Sequence, residues 1–449
     1  MKNQINTNKK TEGDINLSSE RHAWIESEID EETKLLLEKD ARYFLHQSMS
    51  TPCLDVLKSC DGPYIENISG KKYLDFHGNN VHQIGYGNPI LIENLIKQLH
   101  KLSFSPRRYT NKPAIKFAEK LASLTPSNLN RVLLTPNGSS AIGIALKLAR
   151  AVTGKFKVVS FWDSFHGASL DAIGVGGESV FRDYMGPLMP GVERIPPPVT
   201  YRGIFENNEN KCLEYLEYVF SKENDIGAFI AETIRNTDVQ IPSKNFWQEA
   251  RKLCDKHGIL LILDEIPIAL GRTGKMFAFE HYDIEPDILC IGKGLGGGII
   301  PQAAIITRDD YNAYKDISLG HYTHEKSPLG SIAGLTTLNI IEEERLLKKA
   351  NKDEVYFRAA LSALKTKHKL IGDVRGIGLL WGIELVKDKI SKEKAIDEAE
   401  KIMYNCLKKG LSFKVSAGNV LQLSPALTIT RKEIDKALNI LDESLALIS

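Results

Sequence analysis

Residues 287–294 read Asp287-Ile288-Leu289-Cys290-Ile291-Gly292-Lys293-Gly294, and their reading decides the fold. The apolar run Ile288 to Ile291 is too short for a buried helix and predicts a strand covered on both faces. It runs into a lysine held between glycines. An amine in so cramped a place loses water, its pKa falls, and it suits imine formation with a carbonyl. A nucleotide-binding glycine loop is the competing interpretation. Here, however, Gly292-Lys293 precedes the glycine run Gly296-Gly297-Gly298, which is the wrong order for a phosphate-binding lysine loop.

Outward from this stretch, similar apolar runs recur: RVLLT (131–135), KVVSFW (157–162), IGAFIAE (226–232), GILLILDE (258–265) and AAIIT (303–307). Helical patterns separate them. Such alternation predicts a mostly parallel sheet between helices, an α/β fold whose ligands gather at the carboxyl ends of the strands.

Three further groups fall at such ends. Thr135-Pro136-Asn137-Gly138-Ser139-Ser140-Ala141 leads into a helix predicted from Ala141 to Val152, closed by Gly154. Free amides and two hydroxyls there could receive a phosphate, or Ser139 or Ser140 could simply cap the helix. Asp264 ends an apolar run, so its carboxylate needs a cation, a metal or strong donors to stay ionised. Phe165 and His166 follow the 157–162 run. The aromatic ring could stack on a flat group, or both residues could belong to the core.

Composition narrows the function classes. Among 449 residues, 58 Lys and Arg nearly cancel 57 Asp and Glu, so no bulk charge recruits nucleic acid or a membrane surface. No apolar stretch nears the roughly 18 residues that span a bilayer. The polar N-terminus and six scattered cysteines predict a cytoplasmic protein with free thiols. The chain divides into a flexible tail (1–22), an N-terminal helix and hairpin (23–84), a large domain (85–337) and a smaller α+β domain (338–449). The hairpin is expected over 62–76, and a long helix over about 339–368.

Taken together, Phe165-His166-Gly167, Asp264-Glu265, Gly271-Arg272-Thr273-Gly274, Lys293-Gly294-Leu295-Gly296-Gly297-Gly298 and Val374-Arg375-Gly376-Ile377-Gly378 resemble class III aminotransferases in order and spacing. The resemblance runs from about residue 50 to the C-terminus. It implies a fold-type-I enzyme with a seven-stranded sheet, using pyridoxal 5'-phosphate (PLP) in a homodimer with shared sites. It implies Lys293 as the Schiff-base lysine and Asp264 as the carboxylate that keeps the pyridine nitrogen protonated. Gly138 and Ser139 match the phosphate cup, Phe165 the stacking ring with His166 after it, and Ile266 the aliphatic residue under the ring. Glu232 matches the acid of the Glu-Pro motif, with Thr233 in place of proline. Thr323 matches a threonine that reaches the phosphate of the neighbouring subunit.

The departures carry the functional expectation. Pro267 stands where members usually have a glutamine. Gln422 stands where the family places the arginine that grips a substrate α-carboxylate, and an amide lacks that charged fork. Arg107, Arg108 and Arg235 become candidates for a different anion, such as a phosphonate, or for plain salt bridges. The Arg107-Arg108 loop, residues 77–89 and residues 322–328 resemble a subgroup of the family that releases ammonia from a hydroxylated aminophosphonate. Elimination of ammonia is therefore expected, with transfer of the amino group to a keto acid such as pyruvate as the alternative. A binding module without chemistry would not keep both Lys293 and Asp264. His321 and His324 have metal-ligand spacing but no third ligand nearby, so no metal is expected.

Overall fold

The computed structural model describes residues 18–47, 53–314 and 316–448. Most of the expected tail lies outside them, but a helix already begins at Ser19, with the Ser18 side chain accepting from Arg21 N–H. Residues 19–22 therefore belong to this helix rather than to a tail. Its Trp24 is fully buried and packs toward Tyr404, with ring centroids 5.9 Å apart. A second helix, Glu31–Tyr43, follows.

The central sheet has seven strands. Across it they run Leu129–Thr135, Ala303–Arg308, Ile288–Ile291, Leu260–Asp264, Ile226–Glu232, Lys157–Phe161 and Val192–Ile195. All neighbours are parallel except Ala303–Arg308, which is antiparallel to both strands beside it. The α/β class and the mostly parallel seven-stranded sheet expected from sequence are thus observed. Val192–Ile195 has no counterpart among the apolar runs. It is an edge strand with one fully buried residue, Ile195, so it needs little apolar sequence.

Two four-stranded sheets complete the fold. In one, Leu57–Asp61, Tyr64–Asn67 and Lys72–Asp75 form a meander, and Leu411–Ser412 adds to it in parallel. The expected hairpin is its second half. The other sheet contains Ile371–Ile377, Leu380–Leu385, Val420–Leu423 and Lys414–Ser416.

The long helix expected over 339–368 is two helices, Pro328–Glu343 and Leu346–Lys367. Arg345, at φ 52, separates them. The first packs on Pro89–Lys101 and Lys112–Leu124, the second on Ile371–Ile377. The break lets each helix bury its apolar side against a different layer.

Candidate active site

Five strand ends of the central sheet and the loops after them surround one cavity of about 260 Å³. Gly138, Ser139, Phe165, His166, Glu232, Asp264, Ile266 and Lys293 all line it, so the sequence candidates from these five regions come together. Asn137, Gly167, Ala168, Asn236, Thr237 and Pro267 complete the wall. A larger groove of about 560 Å³ lies elsewhere, and its Arg251 is already paired with Asp287 at 2.8 Å.

The helix at the cavity rim spans Gly138–Thr153, earlier than the sequence pattern predicts, and ends at Gly154 in the left-handed conformation. Asn137 is its cap: the side chain accepts from Ser140 N–H at 2.9 Å. Neither Ser139 nor Ser140 serves as cap. Ser139 Oγ instead accepts from Ala168 N–H at 3.1 Å. A Cβ on Gly167 would lie 2.4 Å from Ser139 Oγ, and one on Gly138 would lie 2.9 Å from Ile266 Cδ1. The glycines thus keep open a cradle beside unpaired helix amides, a setting that suits a phosphate.

Asp264 is buried at the strand end. His166 Nδ1 lies 2.8 Å from its Oδ2, and Ile266 N–H donates to its Oδ1 at 3.0 Å. A carboxylate only accepts, so Nδ1 carries the donated proton, and His166 Nε2 is left buried without a partner. Glu232 receives Phe165 N–H at 3.2 Å and Asn236 N–H at 3.0 Å, tying two loops to one strand end. Burial raises its pKa, although the charges of His166 and Arg235 oppose this.

Lys293 opens a short 3-10 turn at φ 48, a left-handed value that a neighbouring Gly292 and Gly294 make room for. A Cβ on Gly294 would fall 1.8 Å from Gln83 Oε1, so any larger residue there would have to displace the Gln83 amide. Burial lowers the lysine's pKa, against the pull of the Asp264 and Glu232 carboxylates.

The remaining candidates lie elsewhere. Gln422 is fully buried and does not line the cavity, but its Nε2 donates to Asn236 O at 2.9 Å. Arg235, expected to face substrate, stands in the wall of an adjacent cavity of about 400 Å³. Burial alone would strip its charge, but Asp238 at 3.0 Å and Glu178 at 3.2 Å reverse that and hold the guanidinium. Those two carboxylates hold its guanidinium in the wall of that neighbouring cavity and not in the wall of the 260 Å³ one. Arg107, Arg108 and Thr323 are exposed. Arg107 Nε lies 3.6 Å from Glu325, Asn111 donates to Lys326 O at 2.9 Å, and the Phe104 and His324 rings are 5.3 Å apart. The 104–111 and 323–326 segments thus form one exposed surface. No cluster suited to a metal ion occurs among the described residues.

Sequence reasoning missed Asn236 and Thr237. They follow the Ile226–Glu232 strand in a polar run with no motif, and only the fold brings them to the cavity. Asn80, bonded to Asn236, lies in the 77–89 stretch, whose sequence gives it no individual role.

The class III aminotransferase description matches residues 46–445. The chain belongs to that family. A relative from Vibrio splendidus, (R)-1-hydroxy-2-aminoethylphosphonate ammonia-lyase, is 55% identical and covers 98% of this chain and 96% of its own. Leucine/methionine racemase from Thermococcus litoralis is 34% identical over 92% of this chain and 95% of its own. Among solved structures, a Virgibacillus transaminase aligns with a TM-score of 0.86 at 28% identity, covering 92% of this chain and 99% of that one. Taurine:2-oxoglutarate aminotransferase from Bifidobacterium kashiwanohense, solved with PLP and glutamate, aligns at 0.87 and 26%, covering 93% and 98%.

Class III aminotransferases are PLP enzymes, and this chain is one. The residues present fit the cofactor: a glycine-kept cradle at a helix start, an aromatic face, a buried carboxylate, and a desolvated lysine around one cavity. No helix of the described residues is long and apolar enough to cross a membrane.

Proposed function

We propose that this chain is an ammonia-lyase that releases ammonia from a small hydroxylated aminophosphonate. The observation that carries the proposal is the buried Gln422. The family's grip on an α-carboxylate is expected from an arginine at that position, and no arginine lines the cavity among the described residues. The identity to the Vibrio splendidus ammonia-lyase over nearly the whole chain supports the same reading.

In this reading Gly138 and Ser139 hold the cofactor phosphate, with the Ala168 N–H steadying Ser139 Oγ. Phe165 and Ile266 hold the two faces of the ring, and Glu232 fixes the Phe165 loop from below. Asp264 holds a proton on the pyridine nitrogen, and His166 keeps that carboxylate oriented. When bound, PLP supplies an electron sink for the carbon that bears the substrate nitrogen. Lys293 carries the cofactor, and its Nζ then takes the proton from that carbon. A lowered pKa suits it, because a larger fraction of the amine is neutral and ready to accept. Pro267 removes one side-chain donor from the ring's edge.

The anion is held from outside the chain's own cavity. Arg107 and Arg108, for that anion, and Thr323, for the neighbouring cofactor's phosphate, lie on the exposed 104–111 and 323–326 surface, and we assign that surface to the neighbouring subunit's site in a homodimer. Six thiols, none in a disulfide, suit the cytoplasm.

Steady-state assay of ammonia from 1-hydroxy-2-aminoethylphosphonate, with no keto acid present, tests the proposal. Release that continues well past one equivalent of enzyme supports a lyase. Release that begins only when pyruvate is added would restore the aminotransferase alternative, which the family as a whole supports.

A further inference from the structure

The turn after the Ile226–Glu232 strand is held under strain. Arg235 and Gln240 bond to each other through both backbone groups, and between them Val239 sits at φ 56, a costly value for a β-branched residue. Arg375 donates to Asp238 O at 2.6 Å and to Val239 O at 2.9 Å, while Gln422 Nε2 holds Asn236 O. Two strands of the 371–423 sheet therefore clamp the turn.

The same contacts fix the direction of the Asn236 amide. The Gln422 atom facing a backbone carbonyl must be its nitrogen, because a carbonyl oxygen only accepts. It also lies 3.1 Å from the Asn236 side chain, so the atom it meets there is Oδ1. Asn80 Nδ2 reaches the same oxygen at 3.0 Å. Both donors come from residues that do not line the cavity, whereas Asn236 does. Its Nδ2 has no hydrogen-bond partner among the described residues and is not sealed from the cavity.

We infer that Asn236 Nδ2 is a specificity-determining donor for the hydroxyl oxygen on the carbon next to the amine-bearing carbon, with Asn80 and Gln422 as positioning residues. This rests on the ammonia-lyase reading. A neutral amide matches a neutral hydroxyl, and the bond strengthens as that oxygen gains charge during cleavage. A phosphonate dianion calls for cations instead. In the step, Lys293 Nζ takes the proton from the amine-bearing carbon. The electron pair left behind forms the new carbon–carbon π bond, the C–O bond breaks, and its pair leaves with the oxygen. The proton joins that oxygen to give water. A water later adds as ammonia departs, so substrate balances ammonia plus a phosphonate-bearing aldehyde.

Two holoenzyme variants test this. Asn236→Ala removes the donor. Asn236→Asp keeps an oxygen for Asn80 and Gln422 but turns the cavity face from donor to acceptor. Each is assayed for ammonia release from 1-hydroxy-2-aminoethylphosphonate and for a shift in cofactor absorption on titration with 2-aminoethylphosphonate, which lacks the hydroxyl. The expected result is a fall in kcat of about a hundredfold in both variants, with Asn236→Ala binding the hydroxyl-free amine as the parent does. Parental kcat in either variant overturns the inference, as does an Asn236→Ala variant that loses affinity for 2-aminoethylphosphonate in step with kcat. A parent enzyme that releases no ammonia from the hydroxylated compound refutes the underlying reading, and the inference with it.

Discussion

Lys293 and Asp264 define the residue scale. Each occupies a strand end and depends on its neighbours, for glycines clear space around the lysine and His166 holds the carboxylate. Lys293→Ala should lower ammonia release by at least about a thousandfold, since it removes both the attachment point and the proton acceptor. Borohydride reduction followed by peptide mapping should place the cofactor on residue 293 in the parent and nowhere in the variant. These two residues were legible because a charged group that ends an apolar run stands out. Asn236 was not legible. Its amide is aimed by Gln422, 186 positions away in the chain, and no local pattern encodes such a contact. Arg235 shows the converse, for a lone arginine near a site gives no hint that Glu178 and Asp238 already hold it.

At the scale of elements, the site is built from helix starts and tight turns. Asn137 caps the Gly138–Thr153 helix and lines the cavity, so Asn137→Ala should destabilise the protein by about 1 kcal/mol and loosen the cofactor. Thermal unfolding and residual cofactor absorption after dialysis check both effects. Gly378 turns the hairpin between Ile371–Ile377 and Leu380–Leu385 at φ 56, and an added Cβ would lie 2.4 Å from the Thr273 carbonyl carbon. Gly378→Ala should cost about 1–3 kcal/mol, because neither backbone can withdraw. Unfolding in denaturant measures it. The main strands were readable because burial on both faces demands continuous apolar runs. The Val192–Ile195 edge strand was not, since two of its four residues are charged and only Ile195 is fully buried. Nor was the break at Arg345, which carries no glycine, proline or change in period.

At the scale of the whole molecule, the loop from His77 to Tyr86 joins the N-terminal meander to the Lys293 turn, and it carries a pH-dependent contribution. Burial, helped by the charge of Arg272, lowers the His82 pKa from 6.5 to about 3. The unfolded chain therefore binds a proton there that the folded chain refuses, so this residue lowers stability as pH falls from about 6.5 toward 3. Glu178 and Glu265, raised to about 7 by burial, pull the overall curve the other way. The test is thus a comparison, in which His82→Phe should gain stability relative to the parent as the medium is acidified. A constant difference across that range would contradict it. If the exposed 104–111 and 323–326 surface completes a neighbouring site, sedimentation should give twice the 50.1 kDa chain mass. Arg108→Ala should then raise KM for the aminophosphonate by about tenfold while leaving that mass unchanged.

The most direct test follows the substrate's nitrogen. The protein is mixed with less than one equivalent of 1-hydroxy-2-aminoethylphosphonate carrying isotopically labelled nitrogen, without a keto acid, and the label is located after one turnover. Elimination at Lys293 predicts label in free ammonium and a cofactor absorption that returns to its starting form. Label retained on an aminated cofactor, with no ammonium released, would contradict the account and make this chain an aminotransferase.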